Sequence, residues 1–213
     1  DDVRPSKILT KEAFENAMRV GMAVGGSTNM VLHFMAMAKE AGVALSFDTW
    51  DALSRTTPTL VKLAPSGPWG VTELNEAGGV PAVMKALGAG INRGALSVSG
   101  KTAGEIVDEA RIEDPEVIHT AADPVEPEGS LFILKGSLAP EGAVVKASGV
   151  TKAMWACTLT ARVFDEEEGA IAALRSGSIK PGTCVVIRNE GPKGGPGMRE
   201  MLGATSALMG AGL

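Results

Sequence analysis

The chain has 213 residues, 45% of them hydrophobic and 21% charged, and carries a net charge of −5. This is globular composition, which excludes a disordered chain and the global basic field that recruits nucleic acid. No apolar run reaches the roughly 18 to 20 residues of a membrane-spanning helix, and the two cysteines, Cys157 and Cys184, form neither a metal-spaced pair nor a disulfide framework.

Length alone allows one large domain or two small ones. The opening residues, Asp1-Asp2-Val3-Arg4-Pro5, lack the basic and apolar regions of a signal peptide, so a soluble cytoplasmic protein is expected. Met209 to Leu213 is an apolar ending without a polar tail, which reads as a cut through a folded element.

The first helix signal is Thr10 as N-cap, followed by Ala13, Phe14, Ala17 and Met18 at helical spacing. Gly25-Gly26-Ser27-Thr28-Asn29 interrupts it. A second helix is expected from Met30 to about Gly42, and it is apolar nearly all round, so burial is expected. Two readings fit the interruption. One is a tight turn with a cap; the other is an oxyanion-binding helix start whose Ser27 and Thr28 hydroxyls touch a ligand. His33 reads as a packed or hydrogen-bonded histidine.

A short helix is expected from Phe47 through Trp50 and Leu53, and Leu60-Val61-Lys62-Leu63 as a buried strand. Glu73 to Met84 reads as a helix, a glycine break, and a helix with Pro81 in its first turn. Gly100-Lys101-Thr102 imitates a phosphate-binding loop, but Ala95 stands where the motif needs glycine, so the match fails. Lys101 is then surface or capping.

Asp114 to Gly129, rich in proline and acids, reads as a linker. β-like runs follow at 131–134, 143–146, 161–164 and 184–187, with a helix from Glu166 to Leu174 before the last. The pattern gives an α/β chain: a helical α/β part over 1–115, a linker at 116–129, and a β-rich part over 130–213.

Chemistry concentrates after the last run. Val185-Val186-Ile187 ends in Arg188 and Glu190, then Gly191 to Gly197 supplies four glycines and two prolines, and a helix is expected to start near Met198. Glycine allows close approach to a ligand, and a helix start favours anions. Glu200, in the first turn, suits a hard cation such as Mg²⁺ or is an ordinary first-turn glutamate. Lys193 and Arg199 meet a substrate carboxylate or face water. Cys184 reads as a small core residue and Cys157 as a poor cluster ligand. His33 and His119 are the only histidines, and neither adjoins a nucleophile motif, which excludes a Ser/His/Asp hydrolase.

Four blocks carry a resemblance: Gly25 to His33, Glu76 to Val83, Leu134 to Lys146, and above all Glu190-Gly191-Pro192-Lys193-Gly194-Gly195-Pro196-Gly197-Met198-Arg199-Glu200-Met201. They resemble the dihydroxy-acid dehydratase and phosphogluconate dehydratase family, in order and across the whole chain. Pro5 to Thr10 favours the dihydroxy-acid branch. The sequence departs from the family pattern at Trp155 to Ala161, where Cys157-Thr158-Leu159-Thr160 replaces a segment that usually carries Gly-Pro.

The resemblance implies the end of an N-terminal α/β domain followed by the first half of a β-rich, swivelling, barrel-like β/β/α C-terminal domain. It implies an iron–sulfur (2Fe–2S or 4Fe–4S), Mg²⁺-dependent hydro-lyase that converts a 2,3-dihydroxy acid to a 2-oxo acid in branched-chain amino-acid synthesis. A sugar-acid dehydratase of the same family, or a non-enzymatic anion-binding module, is the alternative. Glu200 matches the family's Mg²⁺-binding glutamate, and Ser27, Thr28 and Lys193 are the candidate substrate-binding residues. Cluster ligands and the catalytic serine fall outside these 213 residues, the serine just after Leu213, so this piece alone is expected to be inactive. The complete enzyme is expected to be a homodimer acting on a small dihydroxy acid, with no nucleic-acid or membrane partner.

Overall fold

A computed structural model describes residues 3–191 and 201–213. They form two compact units, Asp1–Thr151 and Lys152–Leu213.

In the first unit, α1 (Pro5–Ile8) leads into α2 (Lys11–Ala23). Thr10 caps α2 by accepting a hydrogen bond from the Ala13 N–H at 3.3 Å. Helix α2 lies between two apolar cores. Met18 and Met22 pack with Val31, Trp50, Leu53 and Leu131; Ala23 joins Leu60, Val61, Val83, Leu87 and Ile118. Asn16, buried on the same helix, pairs with the backbone of Asn92: its amide donates to the Asn92 carbonyl at 3.0 Å, and its Oδ1 accepts from the Asn92 N–H at 2.7 Å.

Helix α3 (Asn29–Glu40) departs from expectation. Only Val31 and Ala38 are buried, while Leu32, His33 and Met37 are exposed. The apolar composition suffices to bury the helix all round, but only one of its faces meets α2 and the core containing Trp50. His33 is thus a surface residue within this unit.

Ser46 caps α4 (Phe47–Thr56), accepting from the Thr49 N–H at 3.2 Å. Leu60 and Val61 are fully buried but belong to no strand. Both of their N–H groups donate to the Ala23 carbonyl at the end of α2, at 2.7 and 3.0 Å. The expected burial holds there; the expected strand does not form, because the segment docks on a helix end.

Next come α5 (Val71–Glu76) and α6 (Gly79–Leu87), separated by Gly78 at φ 115, a left-handed conformation that glycine adopts freely. A Cβ at Gly78 would lie 2.2 Å from the Arg111 carbonyl oxygen. Helix α7 (Ala103–Glu109) starts in a capping box, with the Glu105 carboxylate accepting from the Thr102 N–H at 2.7 Å. Lys101 pairs with Glu109 at the surface, at 2.6 Å.

The acidic, proline-rich stretch after α7 buries Val117 and Ile118 and bonds the His119 N–H to the Leu60 carbonyl. Strands β1 (Leu131–Leu134) and β2 (Ala143–Lys146) then pair antiparallel, with Leu131 opposite Lys146. This hairpin packs on α4 through Leu131, Ile133 and Val144. The Arg55 guanidinium lies over the Phe132 ring, and Lys135 pairs with Asp48 at 2.6 Å.

The second unit is a β-α-β element with one more helix. Strands β3 (Thr160–Phe164) and β4 (Thr183–Ile187) run parallel, so the chain must cross over between them, and α8 (Glu167–Arg175) makes that crossing. Helix α9 (Leu202–Gly210) packs on α8. The unit's core is Ala173, Leu174 and Ile179, with Phe164, Val185, Ala207 and Leu208 against it. Cys184 is exposed, contrary to its reading as a core residue, because β4 sits in a sheet of two strands with side chains open to solvent. The chain mixes helix and strand as an α/β protein does, but among the described residues the strands form two two-stranded sheets and no closed barrel.

Candidate functional site

Several polar side chains gather at the carboxyl ends of β3 and β4. Past the paired ends Phe164 and Ile187, the Arg188 N–H donates to the Phe164 carbonyl at 2.9 Å, continuing the ladder by one residue. The Arg188 guanidinium pairs with Asp165 across the same edge. Hydrogen bonding to that carboxylate, then its charge, raises the already high pKa of Arg188. Both side chains are largely exposed, so the pair is a weak surface contact.

Asn189 follows at φ 66, the single non-glycine residue with positive φ among those described. Asparagine tolerates this region better than most residues. The reversal directs the next side chain, Glu190, inward. Glu190 is buried, and its Oε1 accepts from the backbone N–H of Glu167, the first residue of α8, at 3.1 Å. Glu167 is itself buried, and its Oε1 accepts from the Ala204 N–H in the first turn of α9 at 3.0 Å.

Neither helix start has a local side-chain cap: Glu166 before α8 makes none, and Met201 before α9 makes none. The buried carboxylates of Glu190 and Glu167 do this work from elsewhere in the chain. The sequence shows Glu190 only as an acidic residue that ends the last β-like run. Nothing in the sequence marks Glu167, which lies inside a run of four acids, Asp165 to Glu168, that resembles a solvated helix start.

In the first unit, Ser27 and Thr28 sit exposed at the turn between α2 and α3. The Gly25 and Gly26 N–H groups close α2 by donating to Met22 and Gly21 carbonyls. Ser27 Oγ accepts from the Asn29 N–H at 3.2 Å, while Thr28, the residue before α3, makes no capping bond with its hydroxyl. The turn-and-cap reading therefore accounts for Ser27. Lys193 and Glu200 lie outside the described residues.

Among the described residues, no three or more His, Cys, Asp and Glu side chains group as a metal site. Cys157 and Cys184 are both free and exposed. Among the described residues, the two cysteines do not come together as ligands of an iron–sulfur cluster. No helix among them is long and apolar enough to cross a membrane.

Two family models match the chain nearly end to end: dihydroxy-acid/6-phosphogluconate dehydratase N-terminal over residues 1–106, and dihydroxy-acid/6-phosphogluconate dehydratase C-terminal over 116–213. The chain belongs to the dihydroxy-acid/6-phosphogluconate dehydratase family. Similar proteins named dihydroxy-acid dehydratase include that of Ignicoccus hospitalis, 54% identical over the whole of this chain, and that of Pyrococcus abyssi, 53% identical over the same extent. A third, dihydroxy-acid dehydratase 1 of Methanosarcina acetivorans, is 50% identical. The chain spans 39% of the length of each of these relatives. Within the family match, the edge of β3 and β4 with its buried glutamates falls in the C-terminal model, and Ser27 and Thr28 fall in the N-terminal one.

Proposed function

We propose that these residues are part of a longer dehydratase that converts a 2,3-dihydroxy acid to a 2-oxo acid in branched-chain amino-acid synthesis. The supporting observation is the 50–54% identity, over the whole chain, to proteins named for that activity. The same names favour a dihydroxy acid over a sugar acid within the family. In the reaction, C2 gives up its proton and C3 loses its oxygen as hydroxide. Proton and hydroxide make water, and the resulting enol becomes the 2-oxo acid.

Hydroxide leaves poorly and the C2–H is weakly acidic, so charge must be stabilised at both ends. An iron–sulfur cluster and Mg²⁺ would supply Lewis acidity there. The part assigned to this chain is recognition. Glu200 is the proposed Mg²⁺-binding carboxylate, and Lys193 is proposed to meet the substrate carboxylate. Thr28, with a hydroxyl not used in capping, and Ser27 are proposed as further substrate contacts. We assign 1–115 to the N-terminal domain, 116–129 to a linker and 130–213 to the first part of a barrel-like C-terminal domain, in a homodimeric cytoplasmic enzyme.

The test is turnover by the full-length enzyme carrying these residues, prepared without oxygen. Formation of 2-oxo acid from 2,3-dihydroxy-3-methylbutanoate, with slower turnover of 6-phosphogluconate, is expected. Turnover of the sugar acid alone would refute the substrate assignment.

A further inference from the structure

We propose that Met30 is a positioning residue for the Ser27–Thr28 turn, seated in a notch left open by Gly21 and Gly26. The proposal rests on the reading above, that Ser27 and Thr28 contact substrate. Gly21 stands inside α2, two residues before its end, where glycine is a poorer helix former than alanine. Met30 explains its presence. A Cβ at Gly21 would lie 1.9 Å from Met30 Cε and 2.6 Å from Met30 Sδ, and a Cβ at Gly26 would lie 2.6 Å from the same sulfur. The thioether therefore fills the space of two absent side chains, one on α2 and one in the turn that joins α2 to α3.

The backbone ties this notch to the turn from both sides. The Gly26 N–H donates to the Gly21 carbonyl at 2.7 Å, so the two glycines are held against each other. Beyond the turn, the Met30 N–H donates to the Ser27 carbonyl and the Val31 N–H to the Thr28 carbonyl, each at 3.1 Å. Met30 thus holds Ser27 through its backbone and α2 through its side chain. Its side chain also packs against the core of Met18, Met22 and Trp50. An unbranched, flexible methionine can thread such a narrow space. Ser27 and Thr28 are exposed, so burial does not fix them; the half-buried Met30, two residues beyond Thr28, supplies the anchor.

The experiment compares Gly21→Ala, Met30→Ala and the double variant in the full-length enzyme, reading KM for the dihydroxy acid, kcat and melting temperature. Alanine at 21 favours the helix and meets only the end of a flexible side chain, so this variant is expected to fold and to melt close to wild type. It is expected to raise KM about tenfold, because a small displacement of a binding contact is costly. Met30→Ala is expected to raise KM as well, by releasing the turn from α2. In the double variant the alanine methyl at 21 takes the space left by Met30 Cε, and KM is expected to return to within about threefold of wild type. Unchanged KM in both single variants, or losses that multiply in the double variant, would overturn the proposal. A lowered melting temperature with unchanged KM would do the same, leaving Met30 a packing residue. Should Gly21→Ala fail to fold, Met30→Leu shortens and branches the same side chain, and unchanged KM there is equally fatal. Ser27→Ala and Thr28→Ala separate the two readings. If neither changes kcat or KM, the substrate reading of the turn falls and the proposal with it. If they raise KM and the Gly21 and Met30 variants do not, the positioning role alone falls.

Discussion

Asn16 offers the sharpest energetic test of the first unit. It is buried on α2 and exchanges two hydrogen bonds with the backbone of Asn92, at 3.0 and 2.7 Å, as a strand neighbour would. Asn16→Ala removes both partners at once and leaves the N–H and carbonyl of half-buried Asn92 unpaired by Asn16. Each orphaned group costs about 1–3 kcal/mol, so a loss on the order of 2–4 kcal/mol is expected after partial access of water. Asn16→Asp keeps the acceptor for the Asn92 N–H but turns an ionised oxygen toward the Asn92 carbonyl. At neutral pH it is expected to cost at least as much as alanine. Burial and the facing carbonyl raise the pKa of the new carboxyl in the folded state, so the penalty grows as pH rises and shrinks on acidification, when a protonated carboxyl donates to that carbonyl. Urea unfolding followed by tryptophan fluorescence in a Trp155→Phe background reads this unit alone, because Trp50 and Trp69 lie within it. A loss below about 0.5 kcal/mol for Asn16→Ala, the size of an ordinary surface substitution, would refute the buried pairing. Helix α2 also ends at the Ser27–Thr28 turn, so a shift here reaches a proposed substrate contact.

Two other expectations concern titration and thiols. Backbone and side-chain hydrogen bonds from Thr102, aided by Lys101, lower the Glu105 pKa, so its stabilisation is present above the ordinary glutamate range and lost as pH falls through the depressed value; the stability gap between wild type and Glu105→Gln is expected to close on acidification, and a gap independent of pH would refute the capping box. Cys157 and Cys184 are free and exposed, so both should react with a thiol reagent in the native 213-residue chain before any denaturant is added, and fewer than two fast equivalents would contradict the structure.

Local features of this chain are legible in its residue order. The cap at Thr10, the break at Gly78, Pro81 in the first turn of α6, and the four strand segments each depend on residues within a few positions of one another. Even the order strand, helix, strand over 160–187 is readable, and parallel pairing follows once a helix is needed to connect the strands. The family resemblance is likewise carried by contiguous blocks.

What the sequence does not reveal depends on distant partners. Helix α3 is apolar on every side, but which side is covered depends on where α2 and the Trp50 core lie. Leu60 and Val61 bury against the end of α2 instead of a neighbouring strand, and acidic, proline-rich composition hides the burial of Val117 and Ile118. Cys184 is exposed because its sheet has two strands among the described residues. The sequence by itself determined the helix caps and turns and the four strand segments at 131–134, 143–146, 160–164 and 183–187, because periodicity and capping act over one or two turns of backbone. Only the tertiary structure decided that Glu190 and Glu167 cap helices whose own preceding residues do not, because a buried carboxylate finds its N–H partner by packing, across stretches of chain that no local pattern links.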